Sequence, residues 1–326
     1  MNSPKTAFIA IVGKANVGKS SILNKLLGTK IAIVSSKPQT TRTRIMGVLT
    51  TDDNIQLVFT DTPGFHKPKT KLGEKMVKAV SDSIEGVDAC LLVVEPEGEL
   101  NPAELELLEK IKKGKNPAIL AINKIDTVKE KENLISRIAE MTEHYDFQAI
   151  VPVSAQTGNG IDLLLDELKK LAFESEHFFP DDTLTDQPER VLAGEIIREK
   201  MLRLLDKEIP HGTAVSIEKM RERSDGIMDV EATIFCERDS HKGIIIGKGG
   251  AMLKKISTYA RQDMENFFDC KINLQCWVKV KEGWRNHDRL SDFTGRYNFV
   301  NCSKYDSKKR KSERSDCSMS IFWQDW

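Results

Sequence analysis

Residues 13 to 20 constrain this chain more than any other stretch: Gly13, Lys14, Ala15, Asn16, Val17, Gly18, Lys19 and Ser20 in succession. An apolar run, Ala7 to Val12, precedes them and reads as a buried strand; Ser21 to Leu27 follows with helical spacing. The order is therefore strand, glycine loop, helix. Two glycines let the backbone curl so that successive N–H groups converge on phosphate oxygens, and the helix N-terminus adds its positive end. Lys19 is placed to neutralise the β- and γ-phosphates and Ser20 to hold Mg²⁺. A nucleoside triphosphate is the expected ligand.

Downstream, Lys30 to Val34 has the composition of a short strand, and Ser35 to Thr43 is polar and carries Pro38, as a mobile loop would. In GTP-driven switches a threonine of this loop completes the Mg²⁺ shell when the γ-phosphate is present. Thr41 is the favoured residue and Thr40 the alternate. Ile55 to Phe59 alternates as a strand and ends in Thr60-Asp61-Thr62-Pro63-Gly64, which places a carboxylate at a strand's C-terminal edge, where open α/β sheets bind ligands. Asp61 suits a metal held through water, and the Gly64 N–H is in position to meet the γ-phosphate. Where a glutamine would orient the attacking water, residue 65 is Phe65. A phenyl ring cannot do this, so Asn16 is the candidate for holding a K⁺ ion between the phosphates, and hydrolysis is expected to be slow and K⁺-stimulated.

A helix is expected over Leu72 to Ile84, a strand over Asp88 to Glu95, and a helix over Asn101 to Lys112 with Asn101 as N-cap. The strand Ala118 to Ile122 then delivers Asn123-Lys124-Ile125-Asp126. Asp126 can accept from the guanine N1–H and N2–H₂ edge, whereas adenine offers no such pair. Asn123 is expected to tie loops together, and the Lys124 stem to cover a base face. Ile150 to Val153 leads to Ser154 and Ala155, whose N–H can meet the guanine O6. In this order the set specifies GTP. Gly160 to Leu168 reads as a closing helix.

The acidic, proline-containing stretch 176–190 separates this region from a second half and reads as a linker, with His177 part of it rather than a metal ligand. An amphipathic helix is expected over Arg190 to Leu205, and strands at Ala214 to Glu218 and Met228 to Cys236 are joined around Ser224-Asp225-Gly226. His241 to Ile256 contains Lys242, Gly243, Ile244, Ile245, Ile246, Gly247, Lys248, Gly249 and Gly250. A G-x-x-G turn between two helices lets a single-stranded nucleic-acid backbone approach closely. Ile244, Ile245 and Ile246 then make a groove floor, and Lys242 and Lys248 attract phosphate. A strand over Lys271 to Val280 completes the unit, and from Lys242 to Arg285 basic residues outnumber acidic ones.

The whole chain carries no such field, since 49 Lys and Arg balance 49 Asp and Glu over 326 residues. Six scattered cysteines without a C-x-x-C pair predict reduced thiols in a cytoplasmic protein. No signal segment is expected before the first strand, and no apolar run approaches membrane-spanning length.

Together these motifs resemble the Era family of bacterial GTPases over about residues 5 to 285. The resemblance rests on Gly13 to Ser20, Gln39-Thr40-Thr41-Arg42, Asp61 to Phe65, Asn123 to Asp126, Ser154-Ala155 and Gly243 to Gly250. It implies a doubly wound α/β P-loop GTPase domain at 1–175, the linker at 176–190 and a smaller α+β type II KH domain at 191–285. It also implies Mg²⁺-dependent GTP hydrolysis, binding to 16S ribosomal RNA near its 3′ end, and a role in small-subunit (30S) assembly and rRNA maturation. Peripheral association with the inner membrane is a further implication, and no obligate oligomer is expected. Residues 286–326 depart from the family, as a lineage extension or a shifted reading frame would. Their basic, serine-rich run and aromatic end read as a disordered tail or a supplementary RNA arm. Two rival readings are a GTPase accessory to RNA modification and a constitutive RNA clamp; the first lacks a separate catalytic cysteine or metal cluster, and intact Lys19, Ser20 and Asp61 oppose the second.

Overall fold

In the computed structural model, which describes residues 3–35, 37, 40–41, 44–65, 71–98, 100–206 and 209–282, strand β1 (Lys5–Val12) lies near the centre of a seven-stranded sheet. Its neighbours are β3 (Ile55–Asp61) and β4 (Ala89–Val94), both parallel to it. Beyond β4 come β5 (Ala118–Ile122) and β6 (Ala149–Pro152), also parallel. The far edge is β2 (Ile45–Thr51), antiparallel to β3, and β7 (Phe173–Glu174) pairs with the start of β1. The sequence did not mark β2 as a strand.

Strand alternation decides which face each residue covers. Ala7, Ile9 and Ile11 of β1, with Leu91 and Val93 of β4, pack against Ile22, Leu23, Leu26 and Leu27 of α1 (Lys19–Leu27) and Leu164 and Leu168 of α5 (Ile161–Lys169). The intervening Ala10, Val12, Leu92 and Val94 meet α2 (Lys71–Glu85), α3 (Pro102–Gly114) and α4 (Lys131–His144) on the other face. Strands buried on both sides read as unbroken apolar runs, as β1 and β4 do. Helix α3 starts where its sequence says it should: the Asn101 side chain accepts from Ala103 and Glu104 N–H, and Glu104 returns the bond to Asn101 N–H. Such a box contributes about 1 kcal/mol. Because the segments after β1 and β3 leave for opposite faces, a crevice opens at their carboxyl ends.

The second half runs α6 (Glu189–Leu204), β8 (Thr213–Glu222), β9 (Ile227–Cys236), α7 (Asp239–Ile246), α8 (Ala251–Phe268) and β10 (Lys271–Val280). Its sheet order is β10-β9-β8, with β9 and β8 antiparallel and β10 and β9 parallel. That is the α-β-β-α-α-β arrangement of a type II KH domain. Its core joins Ile197 and Met201 of α6 with Val230 and Ile234 of β9 and Ile256, Ala260 and Met264 of α8.

Three local expectations need correction. The strand expected over Lys30 to Val34 does not form. The Asn24 side chain instead takes the N–H groups of Ile31 and Ala32 and donates to the Ala32 carbonyl, so these backbone groups need no strand partner. Ile245, expected in the groove floor, is fully buried in the second core. Helix α6, expected to expose a charged side, buries Arg198, Glu199 and Lys200 to 5 % exposure or less, because that side meets Lys30, Val34, Thr40 and Asp263.

The stretch expected as a linker lies along the β2–β3 edge. The buried Gln56 amide accepts from Phe178 and Phe179 N–H and donates to the Phe179 carbonyl. Thr185 donates to the Met46 carbonyl at 2.6 Å, and Leu184 accepts from Val48 N–H. The β2 edge is thereby covered rather than left to pair with another chain. His177 bonds Asp181 and the Asn54 carbonyl. The four described cysteines are free. Gln39, Arg42 and the tail 286–326 lie outside the described residues.

Candidate functional site

The loop from Gly13 to Ser20 crosses the carboxyl end of β1 and enters α1 directly. Gly18 caps the helix at φ 97°, and a Cβ there would stand 2.1 Å from Asn123 Nδ2, so only glycine fits. Asn16 also holds a left-handed φ of 67°, which asparagine tolerates. Ala15 lies against Gly64, where a Cβ would come within 2.5 Å of Ala15 Cα. The loops after β1 and β3 thus touch backbone to backbone, and Phe65 N–H donates to the Gly13 carbonyl. The Phe65 ring packs into the core with Val12 and Val80, with the Lys110 ammonium over it at 5.4 Å. Its side chain is structural.

Three oxygens converge at the start of α1. Ser20 Oγ donates to Asp61 Oδ2 at 2.5 Å and lies 3.0 Å from Thr41 Oγ1, itself 3.4 Å from Asp61 Oδ2. The hydroxyl of Thr40 is spent within its own loop, on Ser35 Oγ and the Lys37 carbonyl. Thr41, not Thr40, therefore joins the cluster. Asp61 is fully buried and its Oδ1 has no hydrogen-bond partner. Burial pushes this carboxyl up, against the opposing pull of Lys19 and the hydrogen bonds from Ser20 and Thr41. An orphaned buried carboxylate oxygen beside two hydroxyls is a hard-oxygen donor set that suits Mg²⁺, which takes one or two protein carboxylates and completes its shell with phosphate and water. Among the described residues no group of three His, Cys, Asp or Glu makes a separate metal site.

Lys19, also buried, donates to the Gly13 and Lys14 carbonyls at 3.1 and 2.9 Å. Burial lowers its pKa to about 8, with Asp61 pulling the other way.

At the next strand end, Asn123 donates from Nδ2 to the Val17 carbonyl at 2.7 Å and accepts the Ala155 N–H at 3.0 Å. It pins the phosphate loop to the Ser154 turn. The Ala155 N–H, expected to meet guanine O6, is taken by Asn123. Ser154 Oγ donates to Asp126 Oδ1 at 2.5 Å, and Asp126 is exposed at the mouth. Sequence reasoning missed Glu95, at the carboxyl end of β4. It pairs with Lys14 at 3.1 Å and Lys124 at 2.5 Å, joining the phosphate loop to the base loop. The signal was there to read: a carboxylate at a buried strand's C-terminal edge.

In the second half, α7 ends at Gly247 (φ 73°), and Gly249 and Gly250 follow at φ 58° and 81° before α8. Gly243, Lys248 and Gly249 are exposed, Ile244 is 49 % exposed, and Lys242, Ile246 and Gly250 are half-buried. The outward Ile244 beside a glycine turn and two lysines gives an apolar and cationic strip.

Comparison with known proteins places both halves of the chain among known families. A family model described as "50S ribosome-binding GTPase" matches residues 8–124, and one described as "KH domain" matches residues 208–285. GTPase Era of Clostridium kluyveri is 50% identical over 286 residues, 88% of this chain and 97% of that protein. GTPase Era of Clostridioides difficile is 51% identical over 283 residues, 86% and 95% of the two chains. A crystal structure of an Aquifex aeolicus Era variant bound to GDP and aluminium fluoride superposes with a TM-score of 0.86 at 38% identity, covering 89% of this chain and 99% of its own. A structure of Era with MgGDPNP and nucleotides 1506–1542 of 16S ribosomal RNA gives the same TM-score and identity over 90% and 99%.

Proposed function

The chain belongs to the Era family of GTPases, and from that premise we propose that it is a GTP-driven switch acting on small-subunit ribosomal RNA. It hydrolyses GTP to GDP and phosphate, binds 16S RNA near its 3′ end through the KH unit, and serves 30S assembly and rRNA maturation. The observation that carries this reading is the meeting of Ser20, Thr41 and Asp61 oxygens beside buried Lys19, in one polypeptide with an exposed helix–GxxG–helix strip. In this reading residues 1–175 form the GTPase domain, 176–190 the linker and 191–285 the KH domain.

Each residue then has a task. The 13–18 backbone wraps the phosphates, Lys19 neutralises the β- and γ-phosphates, and the Gly64 N–H senses the γ-phosphate. Asn123 braces the loops, and Lys124, Asp126, Ser154 and Ala155 surround guanine. Ser20 and Thr41 hold Mg²⁺ directly and Asp61 through water. Bound Mg²⁺ supplies neutralisation of the charge that develops on the phosphate oxygens. Lys242, Gly243, Ile244, Ile246, Gly247, Lys248, Gly249 and Gly250 take the RNA backbone and bases.

With Phe65 turned into the core, the transition state lacks a glutamine, and Asn16 is assigned to a K⁺ site. Replacing K⁺ by Na⁺ is then expected to slow wild-type turnover at least about tenfold, a fraction of what an arginine finger supplies, and to leave Asn16→Ala unchanged. Equal turnover of the wild type in both salts removes the assignment. No obligate oligomer is proposed, and the protein is assigned to the cytoplasm. Among the described residues no helix is long and apolar enough to cross a membrane; the inner-membrane association proposed for the chain is peripheral, which a vesicle flotation assay tests.

RNA crosslinking of the full chain with a non-hydrolysable GTP analogue or GDP tests the whole reading. Small-subunit RNA near its 3′ end is expected in the GTP state. Gly249→Asp should lose it while GTP binding stays intact: space is open around Gly249, but the variant sets an anion in the turn and strains a φ of 58°. Transfer RNA in its place, or no RNA in either state, would overturn the reading.

A further inference from the structure

The loop that delivers Thr41 is held from outside as well as by its own Ser35, Lys37 and Thr40 bonds. It is tied to α6 and its C-cap Leu205 at several points. Val34 N–H donates to Glu199 Oε1 at 3.0 Å, and the Val34 carbonyl accepts from Arg203 at 3.1 Å. Lys37 Nζ donates to the Leu205 carbonyl, and Arg198 Nη2 donates to the carbonyl of Thr40, the residue before Thr41. The gripping residues are themselves fixed. Arg198 is 2 % exposed and its fork is held by Glu195, with Nε to Oε1 at 2.8 Å and Nη2 to Oε2 at 2.5 Å. Glu199 is fully buried and also accepts Lys30 at 2.6 Å and Lys200 at 3.2 Å, while both lysines reach Asp263 of α8.

A buried ion cluster of this size carries a desolvation cost and is weak evidence of stabilisation for its own sake. What it fixes is the path of a loop that carries Thr41, the hydroxyl assigned above to the Mg²⁺ shell. Glu195 takes the Nε N–H and one Nη2 N–H and so fixes the plane of the guanidinium, which aims the second Nη2 N–H at the Thr40 carbonyl and leaves the buried Nη1 without a partner. Moving that carbonyl moves the Thr41 hydroxyl, since the two residues share a peptide plane.

We propose that Arg198, oriented by Glu195 and backed by the Glu199 cluster, is a positioning residue for the Mg²⁺·GTP site, acting through Thr41 from the RNA-binding half of the chain. The proposal rests on the GTP-switch reading given above. It makes the nucleotide site complete only when α6 is seated, so the second half selects for GTP over GDP without touching either.

The test is the affinity of the full chain for a fluorescent non-hydrolysable GTP analogue and for GDP, each titrated with Mg²⁺. In Arg198→Ala the Mg²⁺ concentration for half-maximal analogue binding is expected to rise roughly tenfold, the scale of ordinary coupling between sites, with GDP affinity unchanged. Arg198→Lys, which keeps a donor for the Thr40 carbonyl, should fall between the two. Placed on Thr41→Ala, Arg198→Ala should add nothing, because its effect passes through that hydroxyl. Additive effects in the double variant, an unchanged Mg²⁺ dependence in Arg198→Ala, or equal loss of analogue and GDP would each overturn the proposal. A wild type with no Mg²⁺-dependent preference for the analogue would instead overturn the switch reading beneath it.

Discussion

Lys19→Ala is expected to lower kcat/KM for GTP on the order of a thousandfold while leaving the chain folded. Two effects add. The ammonium would give two charge-assisted hydrogen bonds to phosphate oxygens, each contributing about 1.5–3 kcal/mol, so their loss alone is about 4 kcal/mol. The second effect runs through Asp61. Burial already pushes that carboxyl up, and Lys19 is the charge that opposes it most. Without the lysine the carboxyl moves further toward its protonated form and gives up the charge that a metal needs. The fold should survive with a lower melting temperature, because the variant leaves buried Asp61 without its cation and the Gly13 and Lys14 carbonyls without their donor. Wild-type kcat/KM in this variant, or its failure to fold, would show that Lys19 is a structural residue.

The same lysine sets a pH dependence. In the free protein its pKa lies at about 8, below the ordinary 10.5, because burial penalises the cation. Bound phosphates favour the cation and push the value back up. Above about pH 8 the free site is increasingly neutral while the complex needs a proton, so binding takes one up. GTP affinity is therefore expected to fall as pH rises through 8, by at most about tenfold per unit. Calorimetry in buffers of different ionisation enthalpy should register proton uptake at pH 9, absent in Lys19→Ala.

The nucleotide site was legible in the sequence because its chemistry is local. Gly18, Lys19 and Ser20 sit within one turn, and each later motif falls at the carboxyl end of an apolar strand, where sheet topology gathers them whatever the loop lengths between. Asn101 gave the start of α3 for the same reason: a cap acts over three residues. What escaped depended on partners distant in sequence. Lys30 to Val34 looks like a strand until the Asn24 amide takes its backbone groups. Helix α6 looks amphipathic until Lys30, Val34 and Thr40 meet its charged side. Ile245 is one of three consecutive isoleucines on a short helix, and only the second core decides which of them turns inward. Glu95 had the right address and no motif around it, since a salt bridge to Lys14 and Lys124 spans 81 and 29 residues of chain.

Base choice is the second property with a large expected effect. Asp126 Oδ1 is already engaged by Ser154 Oγ at 2.5 Å, which fixes the plane of the carboxylate and leaves Oδ2 for the base edge. In Asp126→Asn the Ser154 hydroxyl should keep the carbonyl oxygen of the new amide, so its NH₂ turns toward the base. Guanine presents N1–H and N2–H₂ there, donor against donor, and both charge-assisted bonds are lost together. Sites built to hydrogen-bond a polar group reject a mismatch by about 10⁴ or more; with Asp126 exposed and water able to compensate in part, a loss on the order of 10³ in GTP affinity is expected. Xanthine carries a carbonyl in place of the amino group and so accepts from the amide. Competition against a fluorescent guanine nucleotide should then find xanthosine triphosphate preferred over GTP in the variant, with ATP weak in both proteins and Mg²⁺ dependence unaltered. If the variant still binds GTP at wild-type strength, the base is read elsewhere and the Ser154–Asp126 pair is only a loop brace.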